Sequence, residues 1–260
     1  MAQQGRMTRR RMTRSSIRVA RIGGIDIRVH WTFLVLLVLV AWADAGAPGT
    51  AGVSLVWIAA VFASVLVHEY AHCVVARRRG AVVEDILLLP IGGLSQMSTM
   101  PEAAGDELAI AIMGPLTSLG LAVLAAIGGL AVGAHLWPPT LFAGSWFARI
   151  AWLNALLGGF NLLPALPMDG GRVLRAALER NHDRLTATRQ AGRIARILAA
   201  VMVAVGFFYD FWLVLIGLFV YMGATAEEQA AQTHGHGPAE PSHPAPHPHP
   251  PPPPPLPPPG

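Results

Sequence analysis

The sequence contains no lysine, a single cysteine and few charged residues of any kind. Only 13% of its 260 residues are charged, whereas 53% are hydrophobic, and the mean hydropathy is +0.47. Such a balance argues against an ordinary water-soluble domain and is typical of a membrane protein. The lone Cys73 excludes an intrachain disulfide, so the fold does not depend on oxidising conditions.

Long apolar segments recur along the chain. About 20 apolar residues are needed to cross roughly 30 Å of hydrocarbon as a helix. We interpret six segments as transmembrane helices, at residues 25–43, 53–76, 108–132, 146–163, 194–208 and 211–225. The last two are short and closely joined, so the alternative for that pair is one tight hairpin or an incomplete crossing. The predicted fold is therefore an all-α polytopic membrane domain over residues 29–226, with a small membrane-associated hairpin or loop after the second span. The first segment also resembles a signal peptide, but the long region before it favours an uncleaved anchor.

The positive charges predict an orientation in the membrane. All 19 are arginines, and 18 of them lie in three groups, at residues 1–28, 77–79 and 172–196. Short arginine-rich segments remain on the cytoplasmic side of a membrane. Six crossings with a cytoplasmic N-terminal arm (residues 1–28) place all three groups on that side, so we expect both termini to be cytoplasmic.

Residues 227–260 differ in composition from the rest of the chain. They are rich in proline and histidine and lack apolar periodicity, so we predict an extended, disordered cytoplasmic tail. The tail histidines either bind zinc weakly or are simply solvated, and we favour solvation. They are His234, His236, His243, His247 and His249. A phosphate-binding glycine loop is missing, and no nucleic-acid partner is expected.

The stretch SVLVHEYAHCVVARRRG places ionisable groups inside the second apolar segment. His68 and His72 are four residues apart, so on a helix they share one face and can bind one zinc ion. Glu69 would then lie beside the metal, where it can accept a proton from water. The alternative is a pair of histidines hydrogen-bonded to neighbouring helices. An unpaired charge within a span costs at least about 2.5 kcal/mol, which favours the metal site.

Hydrolytic zinc needs three protein ligands and one open position. A continuation H-x-x-G-x-x-H after the motif is absent, because Val75 and Arg78 occupy the glycine and last histidine positions. The third ligand must therefore come from elsewhere in the chain. The candidates are Glu84, Asp85, Glu102, Asp106, Glu107 and Asp169.

HEYAH within one span and NLLPALPMDGG at the end of a later one resemble the site-2 protease family of intramembrane zinc metalloproteases. The closest likeness is to its compact six-span bacterial branch. VHWTFL, LLLPIGGLSQM and IMGPLTSLGLA are similar to the start of the family's first span, to its loop after the motif helix and to its third span. Many relatives carry paired CBS modules at the C-terminus, where this chain has its His/Pro-rich tail, so nucleotide control is not expected.

The resemblance implies a metal centre and a catalytic base. His68, His72 and Asp169 would bind one Zn²⁺, and Glu69 would activate the attacking water. Asp169 also has a structural explanation, because PMDGGRVLRAALERN looks like a helix with this residue as its N-cap.

The resemblance also implies substrate-binding residues. Asn161 would hold the substrate backbone, and Gly92 and Gly93 would offer a strand edge in a loop that dips into the membrane. Pro164 would end the fourth span and so let the chain reach the metal. Asn161 has a structural alternative as an interhelical hydrogen-bonding group.

The function implied is hydrolysis of peptide bonds in or near the transmembrane segment of single-span membrane proteins, as in regulated intramembrane proteolysis. Substrates in this family include membrane-tethered regulators such as anti-sigma factors, and the location implied is a bacterial plasma membrane. The alternative is a membrane zinc transporter or metal-sensing protein. That alternative needs ionisable residues along a path across the membrane, and the outer halves of the spans offer almost none.

Overall fold

A computed structural model describes residues 15–43, 50–90, 92–97 and 103–235. Glu102, most of the N-terminal arm and the tail beyond residue 235 lie outside the described residues. Within the described ranges the protein is mainly helical and also contains a small sheet.

The mainly helical fold agrees with the prediction, but a sheet of four strands means that the fold is not all-α. The strands are β1 (Ser16–Ile22), β2 (Ile25–His30), β3 (Val83–Leu89) and β4 (Gly92–Met97). They lie in the order β1-β2-β3-β4, and only the β2/β3 pair is parallel. The β3/β4 pair follows the helix Thr50–Arg78, where the sequence predicts a hairpin. The association of this pair with a membrane remains a prediction.

The segment IDIRVH forms strand β2, whereas its hydropathy predicts the start of the first transmembrane helix. Its burial alternates, with Ile25 and Ile27 buried and the residues after each more open. A period of two residues is the pattern of a half-buried strand. Both isoleucines pack with Phe62 and Cys73 of the helix Thr50–Arg78. Hydropathy summed along the chain misses this alternation.

Seven helices lie in the described ranges. They are α1 (Trp31–Ala43), α2 (Thr50–Arg78), α3 (Ala104–Ala131), α4 (Trp146–Asn161), α5 (Asp169–Leu178), α6 (Arg184–Tyr209) and α7 (Phe211–Gly235). Four stretches are long and apolar enough to cross a membrane, namely Gly52–Arg78, Ala104–Ala131, Arg184–Tyr209 and Phe211–Thr233. Helix α1 has 13 residues and α4 has 16. Since both are shorter than a full span, six crossings remain a prediction.

Helix α7 continues into the segment predicted to be a disordered tail. Residues 227–235 are helical, and the first six of them, EEQAAQ, are good helix formers. Glu227 and Glu228 form ion pairs with Arg175 and Arg196, which fixes this end of the helix against its neighbours. The tail prediction for residues up to 235 was therefore wrong.

Small side chains let α6 and α7 pack closely as an antiparallel pair. Ala195 and Ala199 of α6 and Ala224 of α7 are buried in one cluster with Leu166 and Met168 from the segment before α5. Small residues at helix contacts allow backbones to approach each other in a membrane. The segment that leads into α5 therefore packs against this helix pair.

A buried carboxylate joins four of the helices. The Glu107 side chain, in the first turn of α3, is 1% exposed and accepts a hydrogen bond of 3.1 Å from Arg175 Nε of α5. Its second oxygen lies 3.4 Å from Arg184 Nη2 of α6, and Arg175 Nη1 lies 3.2 Å from Glu227 Oε2 of α7. Burial alone would lower the pKa of Arg175, but Glu107 and Glu227 raise it, so the guanidinium stays charged.

Glu107→Gln should destabilise the protein much more than Asp106→Asn. The first change leaves buried Arg175 with only the half-exposed Glu227 as a partner, and breaking one side of a buried pair costs about 3 to 5 kcal/mol. The second removes an exposed pair with Arg79, worth about 0.2 to 1 kcal/mol. Thermal unfolding of both variants in the same detergent measures the difference, and equal melting temperatures would contradict it.

Candidate metal centre

Two histidines of α2 face each other one helical turn apart. Their four-residue spacing places both rings on the same side of the helix, and both are buried. His68 Nε2 and His72 Nε2 are 3.2 Å apart. The local helix alone therefore forms two-thirds of a possible metal site.

Asp169 completes the group from a distant part of the chain. Its Oδ2 lies 3.2 Å from His68 Nε2 and 3.1 Å from His72 Nε2. The N-cap of α5 is Met168 and receives no side-chain cap, so Asp169 is the first residue of the helix and its carboxylate points to the imidazoles.

The two glycines after Asp169 explain how the chain reaches this position. A Cβ at Gly170 would lie 2.3 Å from the carbonyl oxygens of Leu162 and Leu163, and one at Gly171 would lie 2.3 Å from Leu166 N. Contacts this short are not tolerated, so only glycine allows the segment after α4 to fold back over the start of α5. The DGG motif thus has a steric cause.

Helix α3 fixes the orientation of both imidazoles. His72 Nδ1 donates a 2.7 Å hydrogen bond to the carbonyl of Ile110, and His68 Nδ1 lies 2.9 Å from Ser118 Oγ. A carbonyl can only accept, so His72 carries a proton on Nδ1, and in the neutral ring Nε2 is then the nitrogen free to bind a metal. Such outer partners orient metal-binding histidines. Sequence reasoning missed both, because neither belongs to the H-E-x-x-H motif.

Gly114 of α3 leaves the space that the imidazoles occupy. A Cβ at this position would lie 2.1 Å from His72 Nε2 and 2.7 Å from His68 Nε2. Any side chain would therefore overlap the ligand atoms. The segment IMGPLTSLGLA shows the family likeness, but nothing in the sequence alone identifies Gly114 as the residue beneath the metal centre.

The three ligand atoms suit zinc. They lie within 4.8 Å of one another, and all three side chains are buried. A neutral imidazole lone pair turned toward an ionised carboxylate is repulsive unless a cation lies between them. Two imidazole nitrogens and one carboxylate oxygen match the ligands and number of a hydrolytic zinc site.

The other acidic candidates for third ligand have different partners. Asp85 lies 3.8 Å from Arg28, Asp106 pairs with Arg79, and Glu107 lies among arginines. In the ranges that the structure describes, the only group of three or more metal-binding side chains is His68, His72 and Asp169.

A cavity of about 480 Å³ opens beside this centre. Among the side chains and backbone that line it are His68, Glu69, His72, Gly92, Gly93, Asn161, Asp169 and Arg172. Pro164 is exposed and is not among the lining residues, whereas Pro167 is. The structure thus brings together every site residue proposed from the sequence except Pro164, which ends the turn after α4 without reaching the cavity.

Strand β4 passes directly over Glu69. A Cβ at Gly93 would lie 2.5 Å from Glu69 Cγ and 3.3 Å from Val65 Cγ1. The close approach requires glycine, and it brings the strand against Glu69 in the cavity that the metal ligands also line.

The amide of Asn161 does not join two helices. Its Nδ2 donates to Leu157 O of the same helix, at 2.9 Å. The interhelical hydrogen bond expected as its alternative role belongs instead to Asn154, whose Nδ2 donates to Ser64 Oγ of α2 at 3.1 Å. Asn154 was not identified from the sequence.

Comparison with known proteins agrees with this geometry. The family model described as peptidase family M50 matches residues 56–142 and 139–205. The chain belongs to peptidase family M50. It is 37% identical over 221 residues to a zinc metalloprotease of Methanocaldococcus jannaschii, covering 84% of this chain and 62% of that protein. It is also 37% identical over 242 residues to Rip3 of Mycobacterium tuberculosis, covering 85% of this chain and 60% of Rip3.

A solved structure supports the same relationship. The site-2 protease from Methanocaldococcus jannaschii matches with a TM-score of 0.59 and 37% identity, over 82% of this chain and 95% of that one. The resemblance to site-2 proteases drawn from the motifs is therefore confirmed. This chain spans about three-fifths of the length of the curated relatives it matches.

Asp169→Asn should greatly reduce zinc binding while leaving the protein folded. Asparagine keeps the shape of the side chain but is a poor, uncharged zinc ligand, and loss of even an outer partner of a ligand costs about 10- to 100-fold in affinity. Zinc content per chain after purification measures the effect. Asp85→Asn and Asp106→Asn are the controls and should keep zinc. Full zinc occupancy in Asp169→Asn would return this residue to a structural role.

Gly114→Ala should also lose zinc, although alanine favours helices over glycine by about 1 kcal/mol. The added methyl group would overlap both Nε2 atoms. Gly120→Ala on the same helix is the matched control, because a Cβ there meets nothing within 4 Å. Zinc content and melting temperature should separate the two variants, and normal zinc content in Gly114→Ala would contradict the steric explanation.

Proposed function

We propose that this protein is an intramembrane zinc metalloprotease that cleaves single-span membrane proteins in or near their transmembrane segment. The observation that carries the proposal is the convergence of His68, His72 and Asp169 beside Glu69 in a cavity covered by β4. Two of these ligands lie on a helix long and apolar enough to cross a membrane. Membership of peptidase family M50 supports the same chemistry.

Different residues of the cavity would bind the metal, transfer the proton and orient the ligands. His68, His72 and Asp169 would hold a zinc ion, which when bound would supply Lewis acidity to the scissile carbonyl and to a water molecule. Glu69 accepts a proton from the water while the water oxygen forms a bond to the carbonyl carbon. As the C–N bond breaks, Glu69 returns this proton to the leaving amine nitrogen. Ser118 and the Ile110 carbonyl hold the imidazoles in place throughout.

Strand β4 is the surface on which we expect the substrate to bind. It is the last strand of the sheet, and in the described residues no other strand pairs with its outer side. Residues 92–95 line the cavity, so a peptide added along this edge would pass the metal centre. Strand addition supplies backbone hydrogen bonds to an extended peptide. Asn161 lines the same cavity and can contact that peptide.

A transmembrane helix must unwind before it can be cut. Its carbonyls are engaged in internal hydrogen bonds, and within a membrane these must be replaced by other partners. We therefore propose substrates with helix-weakening residues near the cytoplasmic side, such as membrane-tethered regulators of the anti-sigma class. The arginine groups support a plasma-membrane location with both termini in the cytoplasm, and Arg77 and Arg78 follow the histidines closely at the end of α2.

A zinc transporter is the less favoured alternative. Transport across a membrane needs successive ligand groups along a path, whereas the described part of the chain holds one such group. That group also has a carboxylate, Glu69, beside it, as a hydrolytic site requires.

Glu69→Gln should keep zinc but reduce cleavage by about 100-fold or more, as expected for removal of a general base. The experiment co-expresses the full chain with tagged single-span proteins whose spans contain helix-weakening residues, and it follows their cleavage products together with zinc content. Exposed Glu84→Gln is the matched control and should cleave normally. Cleavage by Glu69→Gln at the wild-type rate would overturn the role of Glu69. Failure of the wild-type protein to cleave any of the substrates, with zinc bound, would overturn the proposed function.

A further inference from the structure

A second buried polar site lies at the other end of α2 and has no role in the proposed cleavage. Arg149 is near the start of α4 and is only 8% exposed. Its guanidinium carbon lies 4.2 Å from the ring centre of Trp57 and 4.5 Å from that of Trp146. Its Nε donates a 3.0 Å hydrogen bond to Leu141 O. The side chain is thus held rigidly between two indole rings.

This buried cation has no acidic partner in the described part of the chain. No carboxylate there lies within 4.0 Å of Arg149, although every other strongly buried arginine or glutamate of the helices is paired. The first turn of α4 contains no acidic residue, and the positive end of the helix dipole adds to the charge. A buried charge is costly unless it is paired. The site therefore favours an anion.

A cavity of about 490 Å³ adjoins the guanidinium. Besides Arg149 and Ser54 it is lined by apolar side chains, including Val40, Val53, Trp57 and Phe142. One polar, charged end and one apolar remainder are the features of a site for an amphipathic molecule. A free inorganic anion would leave the apolar part unfilled.

The cavity lies where lipid headgroups are expected. Tryptophans concentrate at this end of the helices, with Trp57 contacting Trp146 and Trp137 contacting Trp152. Tryptophan is enriched at the interface between membrane and water. Trp57 lies 11 residues before His68 on α2, which is about 16 Å along the helix axis. The site is therefore separate from the metal centre.

We propose that Arg149 and this cavity bind one anionic phospholipid. Arg149 donates to the phosphate, as guanidinium groups do through paired N–H donors, and part of an acyl chain packs against Val40, Val53 and Phe142. The proposal does not depend on the proposed peptidase activity.

Native mass spectrometry of the detergent-purified full chain tests this site. Phosphatidylglycerol and phosphatidylcholine are added in equal amounts, and we expect the wild type to retain one phosphatidylglycerol in preference. Arg149→Gln should reduce its retention by about tenfold, the change expected for loss of one charge-assisted interaction. Exposed Arg189→Gln on α6 removes the same charge elsewhere and should bind like the wild type. Equal retention by Arg149→Gln and the wild type would overturn the proposal.

A second variant tests the cavity without changing the charge. Val53→Trp should fill the apolar part and weaken phosphatidylglycerol retention although Arg149 is intact. Zinc content should remain normal in both variants, which shows that the helices have assembled. Equal retention of the two lipids by the wild type would overturn the lipid assignment. Unchanged retention in Val53→Trp, together with displacement by millimolar inorganic phosphate, would also overturn it and would indicate a simple anion site.

Discussion

The contact of one carboxylate with two imidazoles determines how the rest of this protein is arranged. Asp169 Oδ2 lies within 3.2 Å of both His68 Nε2 and His72 Nε2, although about a hundred residues separate them along the chain. Two imidazole nitrogens and one carboxylate oxygen at this separation have the arrangement that a bound cation requires. Helix α2 must therefore continue unbroken through the motif, α3 must approach it closely, and the chain after α4 must turn back sharply.

Each of these requirements has a visible physical cause. Gly114 removes the side chain that would block the approach of α3, and Gly170 and Gly171 remove those that would block the turn. The start of α5 then carries the ligand, while Arg175 further along the same helix is bound by Glu107. The buried ion pair holds α5 against α3, so the position of Asp169 depends on two charged contacts at once.

The two ends of α2 use buried polar groups in different ways. Toward its C-terminal end, imidazoles and a carboxylate converge and leave Glu69 open to a cavity beneath β4. Toward its N-terminal end, Arg149 lies between two indole rings beside a cavity that is mainly apolar. The first arrangement is suited to hydrolysis and the second to recognition of an anionic, amphipathic molecule. Both exploit the high cost of an unpartnered charge away from water.

The sequence by itself determined what depends on short spacing. Histidines four residues apart share a helix face wherever that helix lies, so His68, Glu69 and His72 could be identified directly, and the length of the apolar runs predicted the long helices. The likeness of MDGG to its family selected Asp169 from six acidic candidates, which spacing alone did not.

Only the tertiary structure decided what depends on contacts between distant segments. The parallel pairing of β2 with β3 joins residues that are far apart in the chain, and local sequence does not indicate it. The apolar content of IDIRVH predicts a helix, whereas its two-residue alternation is that of a strand. Ser118, Gly114 and Glu107 have ordinary sequence surroundings, and their roles arise from what packs against them. Pro164 fails to reach the cavity for the same reason. Local spacing specifies which face a side chain occupies, but long-range packing specifies what that face meets.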